Sequence, residues 1–256
     1  MKVGLFVTCL VDLFRPQIGF AAIKLLEQMN CTVVVPPQQT CCGQPAYNGG
    51  DRVNAKKISQ QVIKLFADYD YIVIPSGSCA GMLRKHYPSL WSDHAEMFQR
   101  ANALAAKTYE LTAFLTDIVG MKNVNVSYAA SLTYHDSCSG LRELDIKQQP
   151  RNLLATVAGL TLRELPDCET CCGFGGMFCV KYPAISNKML TDKIANVQAT
   201  NVDVLAAGDL GCLMNMAGKL KRDNSPIKVF HIAEILAGMT DNPAIGEGMQ
   251  HHATAK

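Results

Sequence analysis

Short apolar runs alternate with longer segments whose apolar residues recur at helical spacing, and the chain does this twice. The first half opens on Val3–Thr8, a run that fits a buried strand. Ile18, Ala22, Leu25, Leu26 and Met29 then fall near the 3.6-residue period of an amphipathic helix. Thr32-Val33-Val34-Val35 predicts a second strand, Arg52–Phe66 a second helix and Tyr71-Ile72-Val73-Ile74 a third strand. The second half keeps this order. Val126–His135 predicts a strand, Leu153, Leu154 and Val157 mark a helix, and Leu160-Thr161-Leu162-Arg163 predicts the next strand. Ala184–Val197 and Val202-Asp203-Val204-Leu205 supply the matching helix and strand, and the stretches Tyr109–Leu115 and Phe230–Leu236 read as matched closing helices.

Strands alternating with helices imply parallel βαβ units with helices on both faces. The expected fold is therefore α/β, with two pseudo-symmetric lobes from an internal duplication, each a small parallel sheet flanked by helices. The lobes span residues 1–124 and 125–240, with the boundary near Gly120–Asn125. Residues 241–256 carry Gly and Pro with little periodicity and are expected to form a flexible tail, with His251 and His252 in solvent.

Composition narrows the class. The 256 residues are 48% hydrophobic and 18% charged, the make-up of a globular chain. A formal net charge of +2 gives no footprint for nucleic acid. The densest basic run, Lys219-Leu220-Lys221-Arg222, suits the C-terminal turn of a helix. The apolar start resembles a short export signal, but Asp12 and Arg15 interrupt it and no small-residue cleavage site follows. No stretch approaches the ~18 consecutive apolar residues of a membrane span. A soluble, cytoplasmic protein without a transmembrane segment is expected.

Eleven cysteines, an odd count with two adjacent pairs, argue against a disulfide framework and for metal binding or catalysis. Eight of them obey the duplication. Cys9, Cys41-Cys42 and Cys79 in the first half match Cys138, Cys171-Cys172 and Cys212 in the second, and the gap from the first thiol to the pair is 32 residues against 33. Ligands of open α/β sheets gather at the carboxyl ends of the strands. Each of these thiols follows a predicted strand, so each set of four can converge. Four thiolates suit tetrahedral zinc, a [2Fe–2S] cluster or a [4Fe–4S] cluster. Zinc sites favour short Cys-x₂₋₄-Cys knuckles, absent from both sets, whereas adjacent cysteines can reach different irons. Gly43 and Gly173 follow the pairs; glycine permits positive φ and lets backbone amides approach a sulfur-rich anion.

Other residues carry weaker signals. Cys168 and Cys179 align with Gln38 and Gly49 and stand outside the repeat; Cys168-Glu169-Thr170-Cys171 has redox-motif spacing, and both thiols read as extras. Cys31 opens a strand and reads as core. His135-Asp136 could tune a metal site by a hydrogen bond or a proton relay, or His135 could be satisfied by backbone at the strand end. His231 reads as structural. Arg142 could hold a carboxylate or pair locally. No catalytic residue is assigned. Gly173-Phe174-Gly175-Gly176 is too short for a dinucleotide fingerprint.

The repeated Cys…Cys-Cys-Gly…Cys arrangement resembles the CCG cysteine-rich domain found in heterodisulfide reductase and in the glycolate oxidase iron–sulfur subunit. The strings Leu5-Phe6-Val7-Thr8-Cys9, Cys41-Cys42-Gly43-Gln44-Pro45, Pro75-Ser76-Gly77-Ser78-Cys79, Cys171-Cys172-Gly173-Phe174-Gly175-Gly176 and Gly211-Cys212-Leu213-Met214-Asn215 are similar to the lactate utilization protein A family. The resemblance implies an iron–sulfur electron-transfer component of a multi-subunit system oxidising L-lactate to pyruvate, a redox subunit rather than an enzyme alone. It implies two iron–sulfur clusters of [4Fe–4S] type, a ferredoxin-type iron–sulfur partner subunit and a third small subunit. In the cysteine-rich subunit of heterodisulfide reductase the last cysteine of each set begins a Cys-x-x-Cys that supplies a fifth ligand. Met82 and Asn215 stand at those positions here. The choice between cubane and non-cubane clusters stays open, as do a thiol/disulfide oxidoreductase and a zinc-stabilised scaffold.

Overall fold

Among the described residues, 1–247 of the computed structural model, eight strands form two four-stranded, all-parallel sheets. The first contains β1 (Lys2–Leu5), β2 (Thr32–Val34), β3 (Tyr71–Ile74) and β4 (Thr108–Glu110), in the order β2-β1-β3-β4. The second contains β5 (Ser127–His135), β6 (Ala158–Leu162), β7 (Val204–Ala207) and β8 (Lys228–His231), in the order β6-β5-β7-β8. The matched orders express the duplication. Gly4 of β1 pairs with Val34 and Ile72, and Leu132 of β5 pairs with Leu162 and Val204. The central strands are buried along most of their length because helices cover both faces, so they read as unbroken apolar runs. In each lobe the chain leaves the first central strand toward one edge and returns to the other side, which creates a crevice at the carboxyl ends.

The stretches expected as closing helices begin instead as the edge strands β4 and β8. Each turns directly into a short helix, Leu111–Ala113 and Ile232–Leu236. The switch is made by N-cap side chains. Glu110 Oε2 accepts from Thr112 N at 2.8 Å and Ala113 N at 3.2 Å, and His231 Nδ1 accepts from Ala233 N at 3.2 Å. A three- or four-residue strand is too short to show its own period. Strand β7 starts two residues later than the pattern suggested. Asp203 is drawn off by Ser131, whose N donates to its carboxylate at 2.8 Å.

The lobes share one core. Apolar residues from Val3 and Leu25 in the first lobe to Leu205 and Ile235 in the second belong to a single buried cluster, while Phe6, Ile74, Trp91 and Leu104 form a smaller one within the first lobe. Each closing helix packs on the first long helix of the opposite lobe, Ile232–Leu236 on Gln17–Gln28 and Leu111–Ala113 on Gln148–Leu154. Arg15 seals the first of these crossings. Its Nε donates to the buried Glu234 Oε1 at 2.9 Å, and Lys24 Nζ donates to the Ala237 carbonyl at 2.7 Å. Residues 120–126 link the lobes without regular structure. Of the segment expected as a tail, residues 241–247 lie against β8, where Ile245 N donates to Val229 O at 2.8 Å and Ala244 is buried. The remainder, with His251 and His252, lies outside the described residues. No helix among the described residues is long and apolar enough to cross a membrane.

Two carboxylates give testable consequences. Arg15→Met leaves the Glu234 carboxylate buried without its cation. Burial already raises its pKa, so the variant loses about 3 kcal/mol of stability near pH 8 and less near pH 5, read by urea unfolding. Burial also raises Glu110 from 4.5 to about 7. Its raised folded pKa gives stability that is fully present below about pH 4.5 and lost as pH rises through about 7. The loss is on the order of 3 kcal/mol. Glu110→Gln keeps an acceptor for the helix N-terminus and removes this slope, so the wild-type and variant stabilities converge at low pH and separate in the variant's favour above pH 7.

Candidate functional site

Each thiol of the two quartets is placed by a helix cap or a glycine turn. Cys9 opens the helix Cys9–Phe14, capped by Thr8, whose Oγ1 accepts from Val11 N at 3.4 Å. Cys79 lies in the helix Gly77–Gly81, capped by Ser76, whose Oγ accepts from Cys79 N at 3.3 Å. Cys138 opens Cys138–Leu144 behind Ser137, and Cys212 lies in Leu210–Arg222 behind Asp209, whose Oδ1 accepts from Gly211 N at 3.1 Å. The pairs Cys41-Cys42 and Cys171-Cys172 sit in loops that turn at Gly43 (φ +83) and Gly173 (φ +81). These left-handed turns aim the glycine amides at the preceding thiols, Gly43 N to Cys41 Sγ and Gly173 N to Cys171 Sγ, both at 3.4 Å. A side chain at Gly173 would also lie 2.6 Å from the Ser186 carbonyl oxygen.

The thiols of each quartet meet as a chain of neighbours. Cys9 and Cys41 sulfurs are 3.9 Å apart, and Cys41 touches Cys42, which touches Cys79. The second lobe repeats the order Cys138, Cys171, Cys172, Cys212. Charge within a quartet is uneven. Hydrogen bonds from Cys42 and Cys9, with the Gly43 amide behind them, lower the Cys41 thiol to about 2, while Cys9 and Cys42 are pushed up as they donate to it. Cys171 is lowered in the same way by Cys138 and Cys172. Crowded thiols of this kind lose their remaining protons more readily when a cation is bound among them.

The backbone beside each pair is pinned. Tyr87 Oη donates to the Cys42 carbonyl at 2.8 Å, and Asn215 Nδ2 donates to the Cys172 carbonyl at 3.0 Å. Met82, at the position matching Asn215, is buried in the core. The two sites are tied by Asp209, buried between the lobes. Its Oδ2 accepts from Ser76 Oγ and Ser78 N, both at 3.0 Å, so the caps of the helices bearing Cys79 and Cys212 hold each other. The second quartet opens into a cleft of about 290 Å³ whose far wall, with Gln44, Tyr47 and His86, belongs to the first lobe.

The surroundings of the second quartet contain polar groups that the first lacks. His135 is fully buried and neither ring nitrogen has a hydrogen-bond partner, which rules out the reading of a histidine satisfied by backbone. An unsatisfied buried group of this kind costs about 1–3 kcal/mol. A donor atom of His135 and the sulfurs of Cys172 and Cys212 lie within 4.8 Å of one another. Burial holds the ring neutral, with its pKa lowered to about 3. Lys193 is also fully buried, its ammonium donating to the carbonyls of Asp167 and Cys168 at 3.0 Å each. Sequence reading missed Lys193 and Asp209. Lys193 stands on the buried stripe Leu190, Ile194, Val197 of its helix, and Asp209 precedes Cys212 at capping distance; both signals were available.

The remaining candidates resolve simply. Asp136 is spent on a two-pronged pair with Arg151, at 2.9 and 2.8 Å. Arg142 donates to the Glu169 carbonyl at 3.0 Å and so pairs locally. His231 is a buried helix cap. Cys31 is in the core, Cys179 donates to the Gly176 carbonyl, and Cys168 lies beside Cys171 on a shallow surface pocket.

Comparison with known proteins identifies the lineage. The cysteine-rich domain family named CCG matches residues 3–84 and again 132–217, once in each lobe. Lactate utilization protein A of Halalkalibacterium halodurans is 48% identical over 236 residues, covering 92% of this chain and 96% of that protein. The chain belongs to the lactate utilization protein A family of CCG proteins. Within that family, lactate utilization protein A of Geobacillus kaustophilus is 49% identical over 92% of this chain and 98% of that protein. Lactate utilization protein A 2 of Bacillus cereus is 45% identical over 93% of this chain and 98% of that protein. A crystal structure of a hypothetical protein from Helicobacter pylori shares the fold, with TM-score 0.63 at 12% identity over 96% of this chain and 49% of that one.

Soft, crowded thiols with an amide at each pair are a donor set that suits an iron–sulfur cluster or zinc. The cross-lobe role of Asp209 can be checked independently of any metal. Asp209→Ala strands the amides of Ser78 and Gly211 and is expected to cost the apoprotein about 2–4 kcal/mol in urea unfolding, with Asp209→Asn recovering part of the loss.

Proposed function

We propose that the chain is an electron-transfer subunit of a multi-subunit system that oxidises L-lactate to pyruvate, a redox component rather than an enzyme alone. In this reading Cys9, Cys41, Cys42 and Cys79 hold one iron–sulfur cluster and Cys138, Cys171, Cys172 and Cys212 hold another, both of [4Fe–4S] type. The observation that carries it is the repeated thiol quartet, formed at the carboxyl ends of two matched sheets by residues far apart in sequence. The names of relatives 45–49% identical over nearly the whole chain supply the lactate-oxidising context.

Bound iron–sulfur clusters supply one-electron chemistry; removal of two electrons and two protons from lactate leaves pyruvate. The chain's own contributions are positional and electrostatic. Gly43 and Gly173 direct amide hydrogens at thiolate sulfur, Tyr87 and Asn215 fix the backbone of the inner cysteines, and burial of Cys42, Cys79, Cys172 and Cys212 keeps water away. The proposed partners are a ferredoxin-type iron–sulfur subunit and a third subunit. Exposed Leu13, Phe14 and Phe20, on the two helices that follow Cys9, support docking beside the first quartet.

Anaerobically purified protein is expected to contain about eight irons and about eight sulfides per chain, as two four-iron clusters require. Cys79→Ala and Cys212→Ala should each remove about half of the iron. Stoichiometric zinc without sulfide contradicts the reading and favours the zinc-stabilised scaffold.

A further inference from the structure

We propose that His135 is a direct ligand of the second metal centre, which makes that centre a four-cysteine, one-histidine site while the first has cysteine alone. The inference deepens the proposed function and rests on the second quartet being a metal site.

Three observations carry it. First, the imidazole is sealed from solvent with both nitrogens unpartnered, although buried polar groups in folded proteins find partners with few exceptions. Second, a donor atom of this ring and the sulfurs of Cys172 and Cys212 already lie within 4.8 Å of one another. Bonds of about 2.3 Å to sulfur and about 2.1 Å to nitrogen at one tetrahedral ion set its ligand atoms about 3.6–3.8 Å apart, and ligands of neighbouring irons lie farther apart. Atoms within 4.8 Å of one another are therefore in range of a single metal centre. Third, the duplication provides an internal control. The residue three before Cys138 is His135, and the residue three before Cys9 is Phe6, which is buried in one cluster with Cys42 and Cys79. The fold accepts a hydrocarbon at this position, so the imidazole in the second lobe is not needed for packing.

Neighbouring residues diverge in the same sense. The buried stripe Ala55, Ser59, Val62, Ile63 and Phe66 of the first lobe matches Ser186, Leu190, Lys193, Ile194 and Val197 of the second, which sets Lys193 opposite Val62. Gly4 is likewise replaced by Thr133, whose buried hydroxyl also lacks a partner and shares the His135 face of β5. At these three positions the first lobe has Phe6, Val62 and Gly4, and the second has an imidazole, an ammonium and a hydroxyl. Exchange of thiolate for imidazole raises the potential of an iron–sulfur centre.

The test uses anaerobically purified protein grown with ¹⁵N-histidine and examined by pulsed EPR. One of the two reduced signals is expected to show histidine-nitrogen coupling. His135→Phe, which copies the first lobe, should abolish the coupling and leave the other signal unchanged. His135→Cys should abolish it while retaining the metal and lowering the midpoint potential of that signal. Coupling absent from the wild type, or surviving His135→Phe, overturns the proposal. Absence of iron and sulfide from both quartets defeats the functional reading separately. In that case cobalt(II) is titrated into apoprotein carrying Cys41→Ala and Cys42→Ala. X-ray absorption should then show an imidazole neighbour that His135→Phe removes, and its absence, or its persistence in that variant, overturns the ligand assignment.

Discussion

Thiols gathered at the carboxyl ends of a parallel sheet repel one another as they lose protons, and the local structure of both lobes is arranged around that repulsion. Within each quartet the thiol lowered most is the first of the adjacent pair, Cys41 or Cys171, which accepts from its neighbouring thiols and from a glycine amide. The Cys-Cys-Gly turn presents two adjacent, touching sulfurs with a backbone donor behind the first of them. Its geometry depends on positive φ at Gly43 and Gly173, and at Gly173 also on the absence of a side chain that would meet Ser186. The remaining thiols come from helix N-termini, where the cap residues Thr8, Ser76, Ser137 and Asp209 set their direction and the helix dipole favours negative charge.

The lobes are duplicates held in register by contacts that cross between them. Closing helices exchange sides, Arg15 reaches Glu234 in the other lobe, and Asp209 binds the cap of the helix bearing Cys79. The caps beside the two quartets are thus joined by direct hydrogen bonds. Glycines permit the close approach: a Cβ on Gly77 would fall 2.6 Å from Ser137 Oγ, so the helices carrying Cys79 and Cys138 pack nearly backbone to backbone. Upon this shared frame the two sites have diverged in the residues behind the sulfurs, with Phe6, Val62 and Gly4 exchanged for His135, Lys193 and Thr133.

Much of this was legible in the sequence because the thiols obey the same spacing as the strands. The central strands β1, β3 and β5 are largely apolar runs, so β3 was located to the residue and β1 and β5 to within a few, and the edge strands β2 and β6 show β-branched or alternating patterns that placed them as closely. The edge strands β4 and β8 were not located, because three or four residues running straight into a helix have no period of their own, and Tyr109 and Phe230 fit either structure. The eight repeated cysteines separated from Cys31, Cys168 and Cys179 by alignment of the halves alone. Tertiary information was needed elsewhere. Asp209 could be read as a cap but not as the partner of Ser76, and His135 could be singled out but not known to lack hydrogen-bond partners. Lys193 escaped because a lysine on an apolar stripe ordinarily extends its ammonium to water, whereas this one finds two carbonyls in the interior.

The central claim is that each quartet encloses its own iron–sulfur centre. Anomalous diffraction at the iron absorption edge, on crystals grown anaerobically, tests it most directly. The account predicts two separate concentrations of iron, one among Cys9, Cys41, Cys42 and Cys79 and one among Cys138, Cys171, Cys172 and Cys212. Iron at neither quartet, or at one quartet with the other closed by disulfides or zinc, would contradict it.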